Sequence, residues 1–352
     1  MKNIGIFIPT IKPGGAEKQA TLLAVLLDKY YHVDMYLNLG MLEPAQENLD
    51  LLGSSQVVLH PLNGSTLENI FSLAKLLKKN KTDYLFNYMT NCDVIGCIAG
   101  KMARVPHIYG GIRNAYISYS KLLIERIIHN RFTSGSIYNC YSGAREIGGR
   151  GFDPTKNIVI PNCFPHILDP QTRSDKGVKH IVTVARYVSQ KDYQTALKAI
   201  GILAKKRTDF VFDAIGYGIE EQNIRKWIDE YDVEKYVKLH IRPHDVQRIV
   251  GDSDIYLSTS LYEGTSNSIM EAMNWSLPVV ATNVGDNNYL VQEGQSGFLH
   301  SKGDAEGIAN SLGKLLDDSE LRNRMGKRGN LILREQYSME LFEKRYIDLI
   351  EG

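Results

Sequence analysis

The stretch Asp254-Ile-Tyr-Leu-Ser-Thr-Ser-Leu-Tyr-Glu-Gly-Thr-Ser-Asn-Ser-Ile-Met-Glu-Ala-Met273 decides how the rest of the chain is read. Its first part, Asp254–Ser260, has the aliphatic and aromatic content of a buried strand. From Ser266 to Trp275, Ile, Met and Ala recur at helical spacing, which predicts a short helix with one packed face. Glu263 then falls in the loop leaving the strand, and Glu271, eight residues on, falls about two turns into the helix. The helix N-terminus between them offers unpaired N–H groups to an anion, and Gly264 lets the backbone come close to it. A phosphate at the helix start, a diol on Glu271 and a sugar near Glu263 would together form a nucleotide-sugar site. The competing reading makes Glu271 the capping-box partner of Ser268, since Ser-x-x-Glu fits that device.

The chain has 352 residues, the length of two domains rather than one, and 43% hydrophobic content is ample for two cores. Lys plus Arg number 41 and Asp plus Glu 40, a formal net charge of +1 that demands no nucleic-acid partner. The N-terminal run Met1–Pro9 enters a strand at once and is too short for a signal peptide. No stretch approaches 18 uninterrupted apolar residues, so no membrane-spanning helix is expected. Cys92, Cys97, Cys140 and Cys163 form no Cys-x-x-Cys and have no zinc-spaced histidines, so reduced, buried thiols and a cytoplasmic location are expected.

Strands and helices alternate from end to end, which predicts an α/β protein with parallel sheets covered on both faces. The pattern breaks at the polar, proline-bearing stretch Cys163–Gly177, read as a linker, and then restarts. The expected organisation is a first domain over 1–165, a second over 178–335, and a helical tail over 336–352. Two such domains joined by one linker suit a ligand cleft between them.

Residues Glu263 to Met273 fit the frame E-G-x-x-x-x-x-x-E-A-M, and Leu277-Pro-Val-Val-Ala-Thr-Asn-Val-Gly-Asp286 fits the strand and glycine loop that follow it in glycosyltransferase family 4. The chain resembles that family of retaining enzymes strongly over about 180–300 and thinly before it. The resemblance implies the GT-B fold, with two Rossmann-like domains facing across a cleft and a last helix crossing back to the first domain. It also implies a metal-independent transfer from a nucleoside diphosphate sugar, with no other cofactor. Glu263 would face the donor sugar and Glu271 the ribose, and Gly264, Thr265, Ser266 and Asn267 would line the phosphate pocket.

Arg186 and Lys191 lie at the carboxyl end of the second half's first strand, where open α/β sheets bind ligands, and two cations there suit a diphosphate. The family has an Arg and a Lys at this spacing in G-R-L-x-x-x-K-G, whereas here Ala185 and Asp192 replace the glycines. A solvated basic loop is the alternative. Gly14 and Gly15, in Pro13-Gly-Gly-Ala-Glu17, open the first helix and resemble the family's loop near the donor, although a Gly-Gly turn alone is ordinarily structural. Gly216 and Gly218 resemble its G-x-G turn near the nucleotide. Glu221 stands where a dinucleotide fingerprint needs a third glycine, which disfavours a dehydrogenase. Arg113 and Asn114 stand where many relatives carry a histidine, and Arg113 suits an acidic ligand or a structural ion pair equally. His107, earlier in that strand, reads as a packed residue. Asp252 and Asp254 precede their strand, at the end away from Glu263, so a metal reading is rejected.

The apolar, basic segment 116–132 reads first as a core-facing helix with a basic outer side and second as a helix lying on a membrane surface, there to meet a lipid-linked acceptor. The expected function is retaining transfer of a sugar to a saccharide or lipid-linked hydroxyl, in bacterial surface polysaccharide synthesis, at the inner face of the cytoplasmic membrane. A nucleotide-sugar epimerase of the same fold, or a non-catalytic binding subunit, are the rival readings.

Overall fold

The computed structural model describes residues 1–113, 119–175 and 177–352. The chain forms two compact units, Met1–Cys163 with Met339–Gly352, and Phe164–Ser338. In the first unit the order is β1 Asn3–Ile8, α1 Gly15–Asp28, β2 His32–Leu37, α2 Gln46–Gly53, β3 Val58–Pro61, α3 Thr66–Lys79, β4 Tyr84–Asn87, α4 Thr90–Ala103, β5 His107–Ile112, α5 Tyr119–Arg131, β6 Gly135–Tyr138, α6 Tyr141–Gly148 and β7 Asn157–Val159. The second runs β8 Lys179–Val184, α7 Tyr193–Ala204, β9 Phe210–Gly216, α8 Glu221–Glu230, β10 Val237–Ile241, α9 Val246–Asp252, β11 Ile255–Ser258, α10 Asn267–Asn274, β12 Val279–Thr282, α11 Asn287–Leu290, β13 Gly297–His300, α12 Ala305–Asp317 and α13 Ser319–Tyr337. The last helix, α14 Met339–Glu351, belongs to the first unit.

Both sheets are parallel, ordered β3-β2-β1-β4-β5-β6-β7 and β10-β9-β8-β11-β12-β13. Successive side chains of a strand point to opposite faces, so a strand buried on both sides feeds two cores. Ile6 and Ile8 of β1 enter the core under α1 and α14, whereas Phe7 enters the one under α3 and α4. In the second unit Ile255 and Leu257 of β11 face one core and Tyr256 the other. The tail helix is held by Phe342, Tyr346 and Ile350 in the first core. Its last turn is fastened where Lys2 Nζ and Tyr84 OH donate to the Ile350 carbonyl at 2.7 and 2.8 Å.

The stretch read as a linker is instead a strap on the second unit. The Leu168 N–H donates to Asn274 Oδ1 at 2.7 Å and the Gln171 N–H to Ser276 Oγ at 3.0 Å. Arg173 is spent on backbone, donating to the carbonyls of Ser253, Ser276 and Gly251 at 2.8, 3.1 and 3.1 Å. Its polar, proline-bearing composition marked irregular backbone correctly but said nothing of these partners. The break in the helical tail falls at Ser338, in the stretch Gln336-Tyr-Ser338, so that the last helix starts at Met339 rather than at 336. His107 is in its strand as expected but exposed rather than packed inside, its ring stacked on Tyr84 with centroids 4.4 Å apart.

A buried carboxylate ties three neighbouring strands of the second sheet. Asp213 of β9 meets His180 Nδ1 of β8 at 2.6 Å and His240 Nε2 of β10 at 2.7 Å. Burial pushes the Asp213 carboxyl up, but the bonds from His180 and His240 outweigh it and leave it below its ordinary 3.8. The bond to Asp213 holds His180 above its ordinary 6.5. The raised histidine contributes stability that is fully present below pH 6.5 and lost as pH rises through its folded pKa. The depressed carboxylate contributes stability present above pH 3.8 and lost as pH falls through its folded pKa. Asp213→Asn is therefore expected to cost about 1–3 kcal/mol, most of all between those two values. Melting temperatures of both proteins across pH 4–9 check this, and a gap that widens above pH 7 would contradict it.

Candidate active site

The expected site residues of the second unit converge because two loops are stitched together at the carboxyl ends of β8 and β11. Thr259 Oγ1 donates to the carbonyls of Lys191 and Asp192, at 3.0 and 2.9 Å. The Leu261 N–H donates to the Gln190 carbonyl at 2.8 Å, and Gln190 Nε2 returns to the Tyr262 carbonyl at 2.8 Å. This registry puts Lys191 Nζ 2.5 Å from Glu263 Oε1, in an ion pair whose side chains are only 16% and 10% exposed. Removing one partner of a pair this dry would strand the other charge, at a cost of about 3 kcal/mol or more. Lys191 is thus held by Glu263 rather than standing as a second free cation beside Arg186. Asp192 takes a left-handed conformation, φ 45°, and caps α7 through the Thr195 N–H. Asp is among the few side chains that tolerate such backbone, which accounts for its standing where the family pattern has glycine.

Glu271 lies on the second turn of α10, half-buried. The helix starts at Asn267 with Ser266 at its cap, so Ser268 is already inside it and the capping-box reading of Glu271 fails on position. No side chain caps α10. Thr265 Oγ1 donates to Asp286 Oδ2 at 3.1 Å, and the Asp286 N–H donates to the Gly264 carbonyl at 3.1 Å. Beneath this loop Tyr256 is fully buried, and its OH donates to the Val184 carbonyl at 3.3 Å. Burial, with the nearby Glu271 and Glu263 carboxylates, pushes its phenol up. In the sequence Tyr256 is only one aromatic in a strand, and nothing local marks its place beneath this loop.

Arg186 is exposed and forms no ion pair among the described residues. It lines a pocket of about 680 Å³ with Val184, Gly216, Tyr217, Arg242 and Pro243 at the carboxyl ends of β8, β9 and β10. Arg242, which the motifs do not single out, stacks its guanidinium over Tyr217, 4.3 Å from the ring centroid. The glycines of the Gly216-Tyr-Gly218 turn serve the protein's own chain. A Cβ on Gly216 would stand 2.0 Å from the Ala185 carbonyl oxygen, and one on Gly218 2.3 Å from that of Tyr187. They let the β9 turn close on the loop that presents Arg186.

The remaining expected residues belong to the first unit. Gly14 and Gly15 open α1 after β1, and the Glu17 carboxylate folds over Gly14. Arg113 follows β5, its guanidinium 4.0 Å from the Tyr88 ring centroid and its Nη1 donating to Asn162 at 3.3 Å. No described carboxylate lies within ion-pair distance of it, though its charge lowers the Asp93 carboxyl. Asn114, and residues 116–118 of the basic segment, lie outside the described residues. Asp254, at the opposite end of β11, accepts the His180 N–H at 2.8 Å. Among the described residues no cluster of His, Cys, Asp or Glu has the geometry to hold a metal ion, and no helix is long and apolar enough to cross a membrane.

Residues 167–331 match the family model of the group 1 glycosyl transferases. An uncharacterized glycosyltransferase of Haemophilus influenzae is 26% identical over 351 residues, 97% of either chain. A UDP-Gal:α-D-GlcNAc-diphosphoundecaprenol α-1,3-galactosyltransferase of Escherichia coli is 25% identical over 81% of this chain and 80% of its own. The crystal structure of Anabaena HepE in complex with UDP superposes with a TM-score of 0.83 over the whole of both chains at 18% identity. The fold is that of the GT-B glycosyltransferases. Residues 167–331, just under half of the chain, thus match glycosyltransferase family 4, and the chain is a glycosyltransferase acting on a nucleotide-sugar donor.

The loop carrying Glu263 depends on a glycine that the sequence reading quoted only as part of a following turn. Gly285 has φ +56°, and a Cβ there would meet the Glu263 carbonyl oxygen at 2.2 Å. Gly285→Ala is expected to cost the second unit about 2 kcal/mol, from positive-φ strain and the displaced loop. It should also weaken nucleotide binding. Calorimetric melting with a UDP titration checks both, and wild-type values in each would show that the loop yields freely.

Proposed function

We propose that this enzyme moves a sugar with retention of anomeric configuration from a nucleoside diphosphate donor to a hydroxyl of a bacterial surface-glycan acceptor. The unpaired Arg186 guanidinium lining the pocket beside the Lys191–Glu263 pair carries the reading. In it, Arg186 and the amides at the start of α10 bind the donor diphosphate, with Gly264, Thr265, Ser266 and Asn267 shaping that wall. Glu271 accepts the ribose hydroxyls. The slot between Tyr217, Arg242 and Pro243 takes the base, and the UDP bound by the Anabaena relative makes uridine the first base to test.

Glu263 faces the donor sugar and supports the positive charge that develops at its anomeric carbon. Lys191 shares its proton-bearing head between Glu263 and the departing diphosphate. The bond from the anomeric carbon to phosphate oxygen breaks, the bond to the acceptor oxygen forms on the same face, and the leaving phosphate takes the hydroxyl proton. Arg186, Lys191 and the α10 amides balance the leaving charge in this scheme without a cation. The first unit binds the acceptor, with Gly14, Gly15 and Arg113 on that side.

Calorimetry with UDP, GDP and ADP and their sugar conjugates tests the donor site. One nucleotide should bind, and Glu271→Ala should weaken it about 10-fold or more, the loss of roughly 1.4 kcal/mol. Glu263→Gln should keep donor affinity and lose turnover, and the product anomer read by NMR should match the donor's. An inverted product, or nucleotide binding indifferent to Glu271, would overturn the scheme.

Contact with a membrane surface has its own support. The adjoining outer faces of α3, α4 and α5 expose Leu67, Phe71, Ile98, Met102, Ile124 and Ile127. Exposed Lys75, Lys78, Lys101, Arg104, Lys121 and Arg131 lie on the same helices or at their ends. Apolar side chains ringed by bases suit an anionic lipid surface, while Leu122 and Ile128 give α5 its core-facing side. The protein should float with phosphatidylglycerol vesicles at low salt and far less with phosphatidylcholine. Equal recovery from both would remove this part of the reading.

A further inference from the structure

A second cavity, of about 220 Å³, lies in the first unit, lined by Met89, Thr90, Asn91, Gly111, Arg113 and Lys121. It opens at the carboxyl ends of β4 and β5 and beside Pro9, which follows β1. The strand order reverses between β1 and β4, the place where an open α/β sheet forms a ligand crevice. Three sources of hydrogen-bond donors converge on it. The Arg113 guanidinium is immobilised on the Tyr88 ring and by Asn162, and its buried Nε has no hydrogen-bond partner. Lys121, on the first turn of α5, is exposed and unpaired among the described residues. The first turn of α4 begins after Met89 with no side chain capping it, so its leading N–H groups remain open.

Acid is kept away from these cations in a specific manner. The carboxylates nearest to them, Asp93 of α4 and Glu125 of α5, are both buried and face each other. Asp93 Oδ1 also accepts the Gly111 N–H at 2.9 Å, and Glu125 bonds Thr90. Burial raises both carboxyls, Glu125 to about 7, and the two side chains hydrogen-bond each other. The Arg113 charge still lowers the Asp93 carboxyl, but none of the described residues lining the cavity is a carboxylate, and two of them are cations.

We infer that this cavity is an anion subsite for a phosphate or diphosphate group carried by the acceptor, held by Arg113, Lys121 and the amides opening α4. A carboxylate has two acceptor oxygens in one plane, whereas a phosphate presents three or more in a tetrahedral arrangement that a guanidinium, an ammonium and a helix start can share. The inference deepens the acceptor side of the proposed function and is independent of which nucleotide the second unit binds.

Calorimetry on the full chain saturated with UDP isolates this subsite from the donor site. Inorganic pyrophosphate and farnesyl diphosphate, with farnesol as the uncharged control, are the probes. Both diphosphates should bind, Arg113→Gln should weaken each at least 10-fold and Lys121→Gln less, and farnesol should not bind. Arg113→Lys, which keeps the charge and loses the fork, should recover part of the affinity, and its melting temperature shows that the fold persists. Binding of pyrophosphate alone, with farnesyl diphosphate excluded, would mark an adventitious ion site and overturn the inference. So would diphosphate binding unchanged in Arg113→Gln. Intact UDP binding with no diphosphate binding would sink this subsite and leave the donor reading standing, whereas absent UDP binding would fail the donor reading instead.

Discussion

The contact between Lys191 and Glu263 is the constraint on which the second unit's site depends. The two residues come from loops that follow different strands, and only a single 3-10 turn, Ser189–Lys191, gives either loop regular structure. Thr259, Leu261 and Gln190 join the loops by donating to backbone carbonyls, and the nearly dry ion pair closes the junction. A carboxylate that would otherwise be costly to bury is thereby kept charged and aimed. Everything else in the site is placed relative to this junction. Arg186 stands at the start of one loop, the amides of α10 follow the other, and Gly285 presses against the backbone that carries Glu263.

Close backbone approach does for the site what side chains do elsewhere. Gly216, Gly218 and Gly285 each stand where a methyl group would strike a carbonyl oxygen, and each of those carbonyls belongs to a loop bearing an expected ligand. The family pattern of glycines is therefore read here as packing between loops. It reaches function through the positions of Arg186 and Glu263 rather than through direct contact with a nucleotide. Asp192 gives the counter-case, since a left-handed position was filled by a side chain able both to adopt it and to cap α7.

Much of this was legible in the sequence because it is periodic or local. The buried strand at Ile255–Ser258, the short helix after it and the alternation of strands and helices are patterns of hydrophobic spacing, and the structure bears them out. What was not legible depends on partners distant in sequence. The strap from Phe164 to Asp175 looked like a linker because its bonds run to Asn274, Ser276 and Asn323. The short helices α2, α6 and α11 gave too few turns for a period to register. Lys191 and Arg186 looked like equivalent cations, and only the 2.5 Å contact with Glu263 separates a paired one from a free one.

The two units solve one electrostatic problem in opposite ways. A cation that must meet an incoming anion loses its use if a neighbouring carboxylate neutralises it first. In the second unit Lys191 is paired with Glu263, which leaves Arg186 as the charge with no carboxylate partner among the described residues. In the first unit the nearby acids are given to each other, since Asp93 and Glu125 are buried in a mutual hydrogen bond and burial raises both carboxyls toward the neutral form. Arg113 is then the residue left open, fixed by an aromatic face and an amide, neither of which cancels its charge. Pairing of the surplus charges is thus what makes each remaining arginine available to a ligand.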